Sequence, residues 1–188
     1  MPAAERSRTS AAEALVAMVA GLALLAIRPV VAGSFGGPLL VVAILTVLAA
    51  TSLSAPIAQT TPLGASLGPT VVLAIGIGAF VAAAFLPGAR VPLPTTGAAV
   101  LANSLAAVAE EAFFRRLVYG RLASIGPAAA IAGSALLFAL VHVPIYGVAV
   151  FWVDLGAGLL FGWQRWASGR WDLPAATHVA ANLLAVMR

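Results

Sequence analysis

Two adjacent glutamates and an arginine form the pattern E-E-x-x-x-R inside a long apolar stretch, as Glu110, Glu111 and Arg115. Residues four apart lie on one face of a helix, so Glu111 and Arg115 can form an ion pair. Neighbouring carboxylates in a low dielectric do not both ionise cheaply. We therefore expect Arg115 to keep Glu111 charged and to leave Glu110 free for proton transfer, although a purely structural buried ion pair fits the same residues.

The only two histidines of the chain stand in two further patterns of the same spacing. Phe138 and His142 form F-x-x-x-H, and His178 and Asn182 form H-x-x-x-N. On helices, Phe138 is expected to pack against His142, whereas His178 and Asn182 point into one groove. Taken alone, Asn182 fits a hydrogen bond between helices as well as a site.

A helical hairpin places the first two patterns at one depth. Glu110 lies 16 residues before Gly126, and His142 lies 16 residues after it. At equal rise per residue the two side chains are level, and they face each other if the rotation of the helices permits it. His178 lies a few residues beyond Trp171 and can share this layer if the hairpin tip beyond Arg116 projects from the membrane.

Together these residues predict peptide hydrolysis by an activated water. A glutamate with a histidine can hold and deprotonate a water, and histidine and asparagine donors can stabilise a tetrahedral oxyanion. A zinc site made of Glu110, His142 and His178 is the minority alternative, because two histidines and a carboxylate leave an open coordination position. Serine chemistry at Ser104 or Ser134 is weaker, since neither lies in G-x-S-x-G.

The composition requires a membrane. Hydrophobic residues make up 62% of the 188 residues, charged residues only 9%, and mean hydropathy is +1.07. A soluble domain carries roughly a quarter charged residues, so a water-soluble enzyme and a disordered chain are both excluded. The chain has no cysteine, which removes disulfides, thiol nucleophiles and cysteine metal ligands. The few positive charges predict a lipid bilayer as partner, and no nucleic acid.

The sequence predicts an all-α, polytopic transmembrane bundle of about seven spans, with six to eight possible. Arg28-Pro29 and Pro144 are among the predicted breaks, and the first span is taken as an uncleaved helix rather than a secretory signal. The predicted spans run near 12–27, 38–58, 67–86, 97–122, 127–143, 147–166 and 173–187.

Arginine placement predicts the orientation. A cytoplasmic N-terminus puts seven arginines inside and three outside, in agreement with the positive-inside rule. The inside set is Arg6, Arg8, Arg115, Arg116, Arg121, Arg165 and Arg170, and the outside set is Arg28, Arg90 and Arg188. Four arginines are interpreted mostly as snorkelling anchors: Arg116, Arg121, Arg165 and Arg170. The predicted location is the plasma membrane of a bacterium.

Polar residues divide the chain in two. Residues 97–188 contain both histidines and four of the six acidic residues, whereas residues 1–96 have few charges beyond the N-terminal tail. Because an ionisable group inside a membrane is costly, its position is a functional hypothesis by default. We therefore predict scaffold helices over 1–96 and a catalytic helical core over 97–188. Asp154, within the sixth span, fits either helix packing or a substrate channel.

Three patterns in this order on membrane helices resemble the CAAX protease and bacteriocin-processing family, intramembrane glutamic endopeptidases of the Ras-converting type. The resemblance covers residues 97–188. It implies that Glu110 is the general base for a water also held by His142, that Glu111 supports that histidine, and that Arg115 holds the glutamate pair. His178 and Asn182 would form the oxyanion hole, with no cofactor.

The resemblance implies cleavage of a membrane-anchored protein or peptide, prenylated and C-terminal in the eukaryotic branch. Two alternatives come from other classes. A catalytically silent scaffold or bacteriocin-immunity protein would use the polar core for packing alone, and a small transporter would use Glu110 and Asp154 as proton carriers.

Overall fold

The structure is a computed structural model that describes residues 3–55, 67–85 and 96–187, with side chains described from residue 12 onward. Within these ranges all regular structure is helical, in seven helices, which confirms the predicted all-α fold class. The helices are α1 Ala3–Ala32, α2 Gly37–Ser54, α3 Pro69–Ala83, α4 Gly97–Leu122, α5 Pro127–Tyr146, α6 Phe151–Ser168 and α7 Asp172–Val186.

Four of these helices contain stretches long and apolar enough to cross a membrane, by length and composition. These stretches are Ala12–Ala32, Gly37–Ser54, Gly97–Leu122 and Pro127–Tyr146, and α3 is a shorter apolar helix. The remaining two, α6 and α7, coincide with the sixth and seventh predicted spans. The chain is thus an integral membrane helical bundle, while the number of crossings stays a prediction.

Two predicted breaks are wrong. The Arg28-Pro29 pair and Pro144 both lie inside helices, which continue to Ala32 and Tyr146. A proline removes one backbone hydrogen bond, but membrane helices tolerate this because neighbouring groups satisfy the freed carbonyl. The chain instead turns after these helices at Gly36 and Gly147, whose φ angles of 75° and 86° favour glycine.

Helix α4 is the centre of the bundle. Phe113, Phe114 and Leu117 are fully buried in one hydrophobic core, to which Leu25 of α1 and Leu48 of α2 also belong. The predicted division after residue 96 stays a prediction, but the apolar core crosses it. Arg116, half-buried rather than at a free surface, donates to the Ser52 and Ala55 carbonyls at the end of α2.

Within α4, residues Ala112–Val118 form a π-helix. The sequence predicts an uninterrupted α-helix over this stretch, so the π segment is an unpredicted feature. Such segments add a residue to a turn and often occur at functional sites. Here the segment begins directly after Glu111 and contains Arg115, so it sets where the arginine side chain points.

Helices α5 and α6 form a closely packed hairpin. A Cβ atom on Gly158 would lie 2.9 Å from Cα of Ala135, and one on Gly162 would lie 3.2 Å from Cα of Ile131. The backbones therefore approach closely at both glycines, as small residues allow in membrane helices. Arg165, predicted as a snorkelling anchor, is instead buried and donates to the Arg115 carbonyl at 3.1 Å.

The predicted orientation is not tested by the fold. Arg90 and Arg188 lie outside the described residues, and the side chains of Arg6 and Arg8 do as well. A cytoplasmic N-terminus therefore stays a prediction.

Candidate active site

Glu110 of α4 and His142 of α5 lie together in the interior of the bundle. Glu110 is 3% exposed, and its Oε2 atom is 3.5 Å from Nε2 of His142. The predicted proximity of Glu110 and His142, based on their equal distances from Gly126 in the sequence, is therefore present in the structure. The other carboxylate oxygen, Oε1, is 2.5 Å from Nη1 of Arg28, which extends from α1.

Arg28 changes the expected charge pairing. We predicted that Glu110 would be left free once Arg115 had paired with Glu111. Instead, each glutamate has its own arginine: Arg28 for Glu110 and Arg115 for Glu111. The prediction of Arg28 as a charge on the outer surface is wrong, because the side chain turns into the bundle and is buried.

The backbone fixes the tautomer of His142. Its Nδ1 atom lies 2.7 Å from the carbonyl oxygen of Phe138, which can only accept, so Nδ1 carries a proton and donates it. In the neutral ring, Nε2 is then an acceptor facing the Glu110 carboxylate. A water beside the pair, about 2.8 Å from each acceptor, would donate one proton to Oε2 and the other to Nε2.

Asp154 of α6 completes the set that we name the Glu110 cluster: Arg28, Glu110, His142 and Asp154. Its Oδ2 atom lies 4.0 Å from Nδ1 of His142 and is buried with no hydrogen-bond partner. Of the two interpretations of Asp154, the structure thus favours a position beside the candidate site. A carboxylate facing Nδ1 stabilises a proton on that nitrogen, in agreement with the tautomer that the Phe138 carbonyl selects.

A second set, the Glu111 cluster, consists of Glu111, Arg115 and His178. Both Glu111 and Arg115 are fully buried, with Oε2 3.2 Å from Nε. This contact is an electrostatic one, since the N–H does not point at the oxygen as a hydrogen bond requires. Arg115 also donates from Nη2 to the Gly158 carbonyl at 3.2 Å, which ties the cluster to α6.

The two histidines have separate acidic partners. Nδ1 of His178 donates to Oε1 of Glu111 at 3.1 Å, so Glu111 contacts His178 rather than the predicted His142. The two glutamates are neighbours in sequence but about 100° apart around the helix, and they therefore reach different histidines. The role implied for Glu111 moves accordingly from His142 to His178.

Two phenylalanines pack against the side chains of the clusters. The Phe138 ring lies 4.5 Å from the His142 ring and 5.7 Å from the His178 ring, between centroids. The Phe161 ring stacks on His178 at 5.0 Å. The Arg115 guanidinium lies over both phenylalanine rings, at 4.9 and 5.4 Å. The predicted packing of Phe138 on His142 is thus present, and the same ring helps to hold a buried cation.

Asn182, the last predicted site residue, is half-buried and donates from Nδ2 to the Asn103 carbonyl on α4 at 3.2 Å. This bond joins α7 to α4, as the interhelical interpretation predicts. The implied oxyanion role of Asn182 with His178 stays a prediction.

The described residues contain no group of three histidine, cysteine or acidic side chains arranged to hold a metal ion. Of the three alternative zinc ligands, Glu110 and His142 are neighbours, but Nδ1 of His178 contacts Glu111. Arg28 also occupies one oxygen of Glu110. The arrangement therefore does not fit the proposed zinc triad.

A groove of about 500 Å³ lies between α4 and α7, and no residue of the two clusters lines it. It is lined mainly by small apolar side chains, and His178 lies on a different face of α7. The lining residues are Val108, Trp171, Asp172, Ala175, Ala176, Val179, Ala180 and Leu183.

Arg28 is the residue that the sequence prediction missed. An arginine inside a 21-residue apolar span was the available signal, since such a residue is costly unless it has a partner. The signal was lost because Pro29 was interpreted as a helix end, which placed Arg28 at the membrane surface. Tyr146, whose ring stacks on His142 at 5.9 Å, had no sequence signal.

An integral membrane bundle with two buried glutamate–histidine pairs provides the groups that a water-activating hydrolase needs. Residues 92–184 match the family model described as type II CAAX prenyl endopeptidase, Rce1-like. This match covers α4 through most of α7 and both glutamates, both histidines, Arg115 and Asn182. The chain belongs, through this C-terminal half, to the Rce1-like type II CAAX prenyl endopeptidase family.

Comparisons with curated proteins and with solved structures found no match. Arg28 lies outside the matched residues.

Proposed function

We propose that the protein is an intramembrane endopeptidase that hydrolyses a peptide bond with a water activated by Glu110 and His142. The observation that carries the proposal is the approach of Glu110 Oε2 to within 3.5 Å of His142 Nε2 in the interior of a membrane bundle. Two acceptors at this distance repel each other unless they share a proton or a water beside them donates to both, which supports a site for the reacting water.

The reaction begins with the attack of the water oxygen on the peptide carbonyl carbon. Glu110 accepts the proton that the water loses, and the carbonyl oxygen becomes a tetrahedral oxyanion. As the C–N bond breaks, Glu110 returns this proton to the leaving amine. His142, fixed by the Phe138 carbonyl, keeps the water oriented throughout.

The Glu111 cluster, whose His178 ring also contacts Phe138, supports this chemistry. His178 is held by Glu111, and Glu111 is neutralised by Arg115. With Asn182, His178 is proposed to donate to the oxyanion, as the resemblance implies. In its neutral form His178 has one N–H, which it donates to Glu111. Donation to the oxyanion therefore needs the imidazolium form, which has a second N–H.

The proposed substrate is a peptide anchored in the membrane. A scissile bond must enter the bundle beside Glu110, and an anchored peptide reaches this depth without leaving the bilayer. The family description supports a prenylated C-terminal peptide, so the substrate set for a test should include prenylated and unprenylated forms.

The test uses detergent-purified protein and quenched fluorescent membrane peptides, with and without a prenyl group. Replacing Glu110→Gln removes the proton acceptor and is expected to lower kcat by about 100-fold or more. Glu13→Gln is the matched control, because Glu13 is an exposed carboxylate of α1 outside both clusters. Thermal unfolding of each variant shows whether the fold survives.

Equal cleavage by wild type and Glu110→Gln would contradict the proposal. If the wild type cleaves none of the peptides, and cells with Glu110→Gln behave as cells with the wild type do, the silent-scaffold alternative is supported instead. Loss of cleavage on chelation, restored by zinc, would favour the metal alternative.

A further inference from the structure

Arg28 is a buried cation within the apolar part of the first helix. It is 9% exposed and lies in the Ala12–Ala32 stretch, outside the residues that match the family. A charged residue at such a position is costly and marks a functional site by default. Arg28 neutralises the Glu110 carboxylate in the resting site, but the proposed reaction changes the charge of that carboxylate.

The contact between Arg28 and Glu110 involves one oxygen of the carboxylate. Nη1 of Arg28 contacts Oε1, whereas Oε2 faces His142 and the proposed water. The guanidinium therefore leaves the proton-accepting oxygen of Glu110 accessible while it lies beside the same carboxylate. Its second amino group can approach a further anion, because the planar fork can bind two oxygens at once.

Proton transfer moves the negative charge away from Arg28. In the resting site, Arg28 and Glu110 form a neutral pair. When Glu110 accepts the proton of the water it becomes neutral, and the negative charge appears on the carbonyl oxygen of the substrate that the water attacks. A buried arginine without a counter-ion is strongly unfavourable, so the new oxyanion is the partner that the guanidinium requires.

The two other proposed donors each use one N–H group within the bundle. The Nδ1–H of His178 is donated to Glu111, and one of the two Nδ2 hydrogens of Asn182 is donated to the Asn103 carbonyl. Neither residue brings a permanent positive charge to the oxyanion. An arginine carries five N–H groups and one permanent charge, so it can contact Glu110 and the oxyanion together.

On the basis of the proposed function, we propose that Arg28 is an additional catalytic residue that stabilises the tetrahedral oxyanion. Arg28 holds Glu110 charged before the reaction and donates to the oxyanion once Glu110 has accepted the proton. The N-terminal half of the chain thereby contributes directly to the chemistry. Ground-state peptide binding does not need Arg28, because the oxyanion exists only in the transition state.

The first experiment compares Arg28→Gln, Arg28→Lys and wild type with the peptides defined above. Arg28→Gln is expected to lower kcat by about 100-fold with KM changed by no more than about twofold. Arg28→Lys keeps the charge beside Glu110 but lacks the fork, so its kcat should fall by about 10-fold. Arg170→Gln is the matched control, because Arg170 is exposed and pairs with Asp172 away from the clusters.

The second experiment measures binding to the same variants. A peptide phosphinate, which carries a tetrahedral anion in place of the scissile carbonyl, is expected to bind Arg28→Lys about 10-fold more weakly than wild type. The corresponding uncleaved peptide should bind Arg28→Lys and wild type equally. Arg28→Lys serves here because the retained charge preserves the buried pair if Arg28→Gln fails to fold.

Three outcomes would overturn the proposal: an unchanged kcat in Arg28→Lys, equal loss of phosphinate and peptide affinity, or a rise in KM with kcat unchanged. The last two would mean that Arg28 binds the substrate in its ground state, for example through a C-terminal carboxylate. All three can occur while Glu110→Gln abolishes cleavage, so they leave the proposed protease function intact. Failure of the protease function itself shows as Glu110-independent cleavage or none.

Discussion

Glu110 and Glu111 show how one peptide bond can separate two electrostatic environments. Each carboxylate is buried, and two charges so close in a low dielectric would repel strongly without compensation. The helix turns them toward different neighbours, and each is met by one arginine and one histidine. The Phe138 ring contacts both histidine rings. One turn of α4 therefore carries two buried glutamates, each with its own arginine and its own histidine.

The Glu111–Arg115 pair makes a stability prediction. Arg115→Met removes one partner of a fully buried pair and leaves the Glu111 charge uncompensated. We expect a loss of about 3–5 kcal/mol in the free energy of unfolding in detergent. Adding Glu111→Gln to Arg115→Met removes the isolated charge and should recover part of this loss.

A double variant no more stable than Arg115→Met would show that the carboxylate is not the source of the penalty. Glu13→Gln combined with Arg115→Met is the control, since Glu13 is exposed on α1 and should recover nothing.

At the residue scale, sequence spacing predicts contacts within a helix and across a short hairpin. The Glu111–Arg115 pair follows from a spacing of four, and the Glu110–His142 pair follows from equal distances to Gly126. The Arg28–Glu110 contact joins residues 82 positions apart on helices that no short turn connects, so local patterns carry no information about it. The preference of Glu111 for His178 over His142 likewise depends on helix rotation, which spacing leaves open.

At the scale of elements, Gly158 has two functions in α6. Its lack of a side chain lets α5 approach, and its carbonyl accepts a hydrogen bond from Arg115. The packing of the hairpin and the position of the Glu111 cluster therefore depend on the same residue. The sequence predicts Gly156, Gly158 and Gly162 as close-packing positions, which is confirmed for Gly158 and Gly162 and wrong for Gly156, where a Cβ atom would have nothing within 4 Å. The carbonyl contact of Gly158 depends on the π segment that displaces Arg115.

Alanine substitutions at two glycines of α6 test this packing. A Cβ atom on Gly158 would meet Ala135, whereas one on Gly156 would have nothing within 4 Å. Alanine favours a helix over glycine by about 1 kcal/mol at either position. We therefore expect Gly156→Ala to be neutral or stabilising, and Gly158→Ala to be less stable than Gly156→Ala by about 1–3 kcal/mol in unfolding experiments.

Equal stability of the two glycine variants would show that the hairpin adjusts without strain. In that case the close approach at Ala135 would not be a requirement of the fold.

Helix ends were predicted less well than the helices themselves. All seven predicted spans correspond to helices, because long apolar runs between polar or glycine-rich breaks leave few alternatives in a membrane. Proline was weighted too strongly as a helix end at Pro29 and Pro144. The chain turns at the positive-φ glycines Gly36 and Gly147. The sequence predicts a break at Gly36-Gly37-Pro38 and the start of the sixth span at Gly147, so both turns are confirmed, whereas the additional breaks at the two prolines are wrong.

For the whole molecule, the membrane topology depends on whether α3 crosses the bilayer. Its 15 residues span only about 22 Å, less than the roughly 30 Å of a hydrocarbon core. If α3 crosses, three spans separate the α1–α2 turn from the α4–α5 turn, and these turns lie on opposite sides. If it does not, two spans separate them, and they lie on the same side.

The absence of cysteine makes this topology directly measurable. Ser34 and Ser124 are exposed in the two turns, so Ser34→Cys and Ser124→Cys each introduce a single thiol. With a cytoplasmic N-terminus, a membrane-impermeant maleimide should label Ser34→Cys in intact cells and Ser124→Cys only after permeabilisation. The cysteine-free wild type is the control for background labelling.

A reversed labelling pattern would contradict the predicted orientation while keeping three spans between the turns. Labelling of both thiols under the same condition would instead contradict a crossing by α3.

The ion pair between α1 and α4 also constrains how the chain is made. Arg28 is synthesised 82 residues before its partner, so the first helix enters the bilayer with a cation that nothing yet balances. The charge can reach the headgroups only while α1 remains separate from the bundle. A chain that ends before Glu110 lacks the partner of Arg28, so its first helix is favoured near the lipid headgroups. This position distinguishes an unfinished chain from a completed one.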